Sequence, residues 1–126
     1  MSVVLDASAI LAIILNETGN DKVRAALNDA TISTVNLSEI YATATEKGLD
    51  IAATRQGLAG LGLAIVAFGE AHAFLAGELR RQTRGYGLSL GDRACLATAM
   101  IEKRPVMTAD RAWLQLALPV EVISIR

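Results

Sequence analysis

The chain has 126 residues, 52% of them hydrophobic and 20% charged, with a formal net charge of −1. That length fits one compact domain over residues 1–126, and so much apolar surface excludes a disordered chain. The balanced charge excludes a general nucleic-acid coat protein, which would be basic overall, but not a nuclease with an acidic centre and a local basic rim.

Val3-Val4-Leu5 is a short apolar run, partly β-branched, and predicts a buried strand ended by Asp6. Residues 7–15 are apolar nearly all round and predict a buried helix. Residues 21–28 predict a second, short helix, with Val23 and Leu27 on one face. Residues 31–35 predict the second strand. Asn36-Leu-Ser-Glu39 then has the form of a helix start, an N-cap followed three positions later by Glu, with the helix running to about Lys47 and ended by Gly48. Residues 51–60 predict another helix and residues 63–66 a third strand. A long helix is expected over residues 69–83, then a loop at Arg84-Gly-Tyr-Gly87. Ser89-Leu-Gly-Asp92 repeats the helix-start pattern, for a helix reaching about Lys103. Residues 105–108 predict a fourth strand, 111–118 a last helix and 120–125 a last strand.

Strands alternating with helices are the signature of an α/β domain with a mostly parallel central sheet. The longest apolar stretches, residues 7–15 and 58–69, fall short of the ~20 residues a membrane helix needs, so no membrane partner is expected. The N-terminus lacks a cationic region and Asp6 interrupts its apolar run, unlike a signal peptide. The single cysteine, Cys95, cannot form an internal disulfide and reads as a small buried hydrophobe. A cytoplasmic location is expected.

In a parallel sheet the carboxyl ends of the strands and the helix starts that follow share one edge, where ligands bind. Asp6 follows the first strand and Asp110 the fourth, while Glu39 and Asp92 lie in the first turns of their helices. Four of the 13 acidic residues thus share an address. Each also has an ordinary reading, since carboxylates are favoured at helix starts. Four carboxylates brought close together repel, and a hard divalent cation relieves the conflict. Mg²⁺ or Mn²⁺, as one or two ions, would take such oxygen ligands, while the lone His72 and lone Cys95 offer no zinc pattern. Ser8 and Thr108 stand two residues from Asp6 and Asp110; their hydroxyls could orient carboxylates or bond to local backbone.

Val-Val-Leu-Asp6-Ala-Ser8-Ala, Asn36-Leu-Ser-Glu39, Leu88-Ser-Leu-Gly-Asp92-Arg-Ala and Val106-Met-Thr108-Ala-Asp110 resemble the PIN-domain family, and within it the VapC-type toxins. The resemblance implies a three-layer α/β/α domain and a Mg²⁺- or Mn²⁺-dependent endoribonuclease, with Asp6, Glu39, Asp92 and Asp110 as its acidic site. It also implies a homodimer, a VapB-type antitoxin partner, and contact with DNA only through that antitoxin.

Arg80, Arg81, Arg84 and Tyr86 precede the Asp92 helix and are candidates for RNA phosphate and base contact; cations closing a helix are the alternative. Arg111 is a similar candidate. Arg93 is open between a phosphate contact and pairing with a neighbouring carboxylate. Trp113 reads as a core or subunit-contact residue, and His72 as a helix-face residue without a catalytic role. The region from Ile40 to Leu61, with Tyr41, Ala42, Leu49 and Leu58, is either an antitoxin-facing surface or ordinary core. A receiver-like domain would want paired acids after the first strand, and a dehalogenase-type phosphatase Asp-x-Asp, where Ser8 stands here. A catalytically inactive PIN-like binding or assembly module is the remaining alternative.

Overall fold

The computed structural model describes residues 2–126. Five strands, β1 (Val3–Leu5), β2 (Ala30–Ser33), β3 (Ala64–Val66), β4 (Val106–Thr108) and β5 (Val122–Ser124), form one sheet in the order β3-β2-β1-β4-β5. Every neighbouring pair is parallel. The chain builds outward from β1 to β2 and β3, then returns to the other side of β1 to lay down β4 and β5. The strand order therefore reverses between β1 and β4, and the carboxyl ends of those two strands flank the crevice that such a reversal opens.

Seven helices cover the sheet: α1 (Ala7–Ile14), α2 (Asn20–Ala26), α3 (Thr34–Glu46), α4 (Ile51–Ala59), α5 (Glu70–Glu78), α6 (Arg80–Thr83) and α7 (Leu90–Glu102). Side chains of a strand alternate between faces, and this divides the core in two. Val3 and Leu5 pack with Ile32 and Met107 against Ile10, Val23, Ile40 and Leu58, which belong to α1 to α4. Val4 and Val106 pack on the other face against Ala76, Cys95, Leu96 and Trp113, from α5, α7 and the segment after β4. The result is the expected α/β/α sandwich. No described helix is long and apolar enough to cross a membrane.

Three local expectations change. The second strand ends at Ser33, whose hydroxyl accepts the Val35 N–H at 3.2 Å and so caps α3 three residues before the N-cap expected at Asn36. Asn36 is consequently not a cap but a buried residue inside the helix. The long helix over residues 69–83 is divided at Leu79, only slightly, since Leu79 keeps helical angles and the Thr83 N–H still reaches its carbonyl. The expected helix at residues 111–118 is a 3₁₀ turn, Arg111–Gln115, stopped where Leu116 turns extended ahead of Pro119. Gly48, at φ +73°, takes the left-handed conformation its position after α3 demands, as expected.

Candidate active site at the carboxyl edge of the sheet

Asp6 caps α1, its Oδ1 accepting the Ala9 N–H at 2.9 Å, and it is only 5% exposed. Ser8 donates its hydroxyl to the same oxygen at 2.7 Å, and Thr108, at the end of β4, donates to Oδ2 at 2.5 Å. Both hydroxyls are held in turn: Ser8 Oγ accepts the Ala109 N–H at 2.9 Å and Thr108 Oγ1 accepts the Asp110 N–H at 3.0 Å. The two hydroxyls expected to orient carboxylates do so at Asp6, and they tie the end of β1 to the end of β4.

Burial pushes the Asp6 carboxyl up to about 6 from an ordinary 3.8, against the three hydrogen bonds that lower it, and the charge of Asp92 adds to the rise. Glu39 is half-buried and is also raised, first by burial and then by Asp92. Beneath them Cys95 is fully buried, its thiol pushed up by burial and by the charges of Asp6, Asp92 and Glu39. These mutual effects place Asp6, Glu39 and Asp92 in one electrostatic neighbourhood, with Cys95 as its apolar floor.

Asp92 forms the expected capping box: its Oδ2 accepts the Ser89 N–H at 2.9 Å and Ser89 Oγ accepts the Asp92 N–H at 3.2 Å. Its Oδ1 has no hydrogen-bond partner among the described residues, so the capping role leaves one oxygen for chemistry. Glu39 lies six residues past the Ser33 cap, which rules out the capping-box reading for it. Its Oε1 accepts from the Asn36 side chain at 2.9 Å, and its carboxylate lies against Gly91. An open cavity of about 600 Å³ runs beside it, lined by Ser38, Glu39, Ser89, Leu90 and Gly91. Asp110 follows β4 at the same edge. It is exposed, caps the 3₁₀ turn by accepting the Ala112 N–H at 3.0 Å, and connects to Asp6 only through Thr108.

No ion pair among the described residues reaches any of the four acids; the paired carboxylates are Asp29, Glu102 and Glu17. As placed, no three acidic, histidine or cysteine side chains among the described residues converge to hold one ion. The donor set nonetheless suits a hard cation. It is all carboxylate oxygen, it carries no compensating positive charge, and Glu39 Oε2 and Asp92 Oδ1 have no hydrogen-bond partner among the described residues.

The basic candidates separate. Arg111 is exposed on the same edge, directly after Asp110. Arg80, Arg81 and Arg84 instead line a cavity of about 630 Å³ with Met100 and Pro119. Met100 lies eight residues beyond Asp92 on α7, about 12 Å along the axis. Arg93 forms no ion pair with an acid among the described residues. It donates to the Ala76 carbonyl at 3.0 Å, fastening α7 to the end of α5. The Tyr86 hydroxyl donates to the Gln115 carbonyl at 3.1 Å, anchoring the loop, though the residue stays 41% exposed. His72 Nδ1 accepts the Gly69 N–H at 3.1 Å, a helix-start role, and Trp113 is core.

The sequence matches the PIN domain over residues 3–118. The chain belongs to the PIN-domain family. Among solved structures it is similar to a toxin–antitoxin complex from Klebsiella pneumoniae (19% identity, 99% of this chain and 98% of that chain covered, TM-score 0.75). It is equally similar to DNA-bound VapBC from Salmonella typhimurium (16%, 100% and 99%, TM-score 0.75) and similar to FitAcB from Neisseria gonorrhoeae (22%, 98% and 97%, TM-score 0.71). At these identities the likeness is one of fold. No curated protein matches by sequence.

Two residues in contact with Glu39 are not marked as such by the sequence pattern. Asn36 fits an N-cap pattern equally well. Gly91 is a poor helix former inside a helix, and a glycine there often signals close approach by another group.

Proposed function

We propose that this PIN domain is a Mg²⁺- or Mn²⁺-dependent endoribonuclease, the VapC-type toxin of a type II toxin–antitoxin pair. The observation that carries the reading is the buried Asp6 carboxylate at the β1/β4 crevice, grouped with Glu39 and Asp92 and unpaired with any cation. Asp6, Glu39 and Asp92 would hold the metal directly or through water, with Asp110 completing the site at a second ion. A divalent ion held by these carboxylates would supply the charge needed to polarise a phosphodiester, activate a water and stabilise the leaving oxygen.

The protein's own groups prepare for that role. Ser8 and Thr108 fix both oxygens of Asp6 in one orientation. Burial keeps water from screening Asp6. Arg111, on the rim beside Asp110, is suited to hold a flanking phosphate. Arg80, Arg81, Arg84 and Tyr86 would meet RNA only farther along α7.

The antitoxin would lie along α4. Apolar grooves of about 480 and 370 Å³ flank this helix, the first lined by Tyr41, Ile51, Leu58, Leu63 and Ile65, the second by Ile13, Ile14, Leu49 and Leu61. Within the proposed Ile40 to Leu61 region, Ile40 and Leu58 are core, Leu58 also forms part of the groove walls, and Tyr41 and Leu49 line the grooves. The neighbours from toxin–antitoxin and VapBC complexes support such a partner, and DNA contact would be made through it. The single-domain protein would work in the cytoplasm as a homodimer.

The test is cleavage of a panel of structured RNAs with Mg²⁺, Mn²⁺ or EDTA, by wild type and Asp6→Asn. Metal-dependent cutting lost in the variant supports the proposal. No cutting of any RNA, with no metal-dependent rise in melting temperature, would instead favour an inactive PIN-like assembly module.

A further inference from the structure

Asn36 occupies an unusual position for an amide. It is 1% exposed, inside α3, and its Nδ2 donates twice: to Glu39 Oε1 at 2.9 Å and to the Gly91 carbonyl of α7 at 2.9 Å. One amide thus bridges the helix that carries Glu39 to the helix that carries Asp92. A second feature acts on the same carboxylate from the other side. A Cβ built on Gly91 would fall on the Glu39 carboxylate, nearest to Oε2. Gly91 has ordinary helical angles, so no turn requires glycine here; the space that its missing side chain leaves is taken by Glu39.

We infer that Asn36 and Gly91 form a clamp that sets Glu39 beside Asp92 so that the two carboxylates share one divalent ion. Asn36 occupies Oε1 and leaves Oε2 as the ligand oxygen. Gly91 lets Oε2 sit against the backbone of the residue before Asp92, which fixes the separation of the two acids. Because the amide donates to both helices, α3 and α7 cannot shift against each other without breaking one of its bonds. Asn36 and Gly91 are positioning residues in this scheme: neither touches the metal or RNA. The inference rests on the metal-binding reading above.

Gly91→Ala separates positioning from folding. The atoms in the way are the end of a flexible side chain, so the helix accepts alanine by swinging Glu39 aside. Alanine is also the better helix former. The test is Mn²⁺ binding by titration calorimetry, with melting of the metal-free protein measured in parallel. The proteins are wild type, Gly91→Ala, Asn36→Ala, Glu39→Gln and the double variant Asn36→Ala/Glu39→Gln. Gly91→Ala is expected to melt at or above the wild-type temperature yet bind Mn²⁺ about 10–100-fold more weakly, the usual cost of losing a group that orients a ligand. Asn36→Ala should lose a similar factor alone, but nothing further once Glu39 is already Gln. Wild-type affinity in Gly91→Ala, or an equal loss from Asn36→Ala with and without Glu39, overturns the clamp and leaves the nuclease reading standing. No Mn²⁺ binding by the wild type overturns both.

Discussion

Asp6 is a carboxylate that the fold holds at a cost, and the cost is measurable as a pH dependence. Its folded-state value of about 6 lies above the ordinary 3.8. Between those values the folded chain keeps a proton that the unfolded chain has lost. Stability contributed by this group is therefore full below about pH 4 and is lost as pH rises through 6. At roughly 1.4 kcal/mol per pH unit, the gap corresponds to about 3 kcal/mol at neutral pH and above. Asp6→Asn removes the charge while retaining a carbonyl that can accept from Ser8 and Ala9. In EDTA, the variant's stability relative to wild type should rise by about 2–3 kcal/mol between pH 4 and pH 7.5. For a chain of this length that is roughly 10 °C in Tm. Urea denaturation of both proteins across this range is the assay. Taking the difference between the two proteins cancels the contribution of groups remote from Asp6 and leaves that of Asp6 and the carboxylates beside it. A difference that is flat with pH, or that moves against Asp6→Asn as pH rises, would refute the account of Asp6 as a desolvated, unpaired carboxylate.

Thr108→Val keeps the shape of a fully buried side chain but removes the donor to Asp6 Oδ2 and the acceptor for the Asp110 N–H. It should raise the Asp6 value above 6, read from the same pH series, and weaken metal-dependent cleavage about 10–100-fold. Arg111→Ala should raise KM for RNA several-fold with little change in kcat. Arg80→Ala with Arg81→Ala should change KM less for short RNAs, because their cavity opens about 12 Å along α7 from Asp92. Ile65→Asp places a charge at a 57% exposed position in the groove beside α4. Co-purification should show the antitoxin complex lost while RNA cleavage by the isolated protein is unchanged.

The sheet and its layers were legible because the central strands β1, β2 and β4 are short runs buried on both faces, and because strands alternate with helices along the whole chain. Local boundaries followed less well where two signals competed. Ser33 and Asn36 are both good caps, and only the buried contact from Asn36 to Gly91, 55 residues away, decides between them. Pattern reading sees spacing along the chain and not that contact. Asp6, Glu39 and Asp92 could be placed together because a parallel sheet gathers strand ends at one edge. Asp110 shares that address, and like Asp6 and Asp92 it also caps the element that follows it. Arg93 shows the same limit: its neighbour Asp92 suggested a polar role at the site, but a helix sends successive residues in different directions, and the guanidinium reaches α5.

The central claim is tested most directly by single-turnover cleavage of one sensitive RNA over a range of Mn²⁺ concentrations, with wild type, Asp6→Asn, Glu39→Gln, Asp92→Asn and Asp110→Asn. The account predicts cleavage that saturates with Mn²⁺, disappears in EDTA, and falls at least about 100-fold in Asp6→Asn and Asp92→Asn. Cleavage that persists in EDTA, or at the wild-type rate in Asp6→Asn, would contradict it.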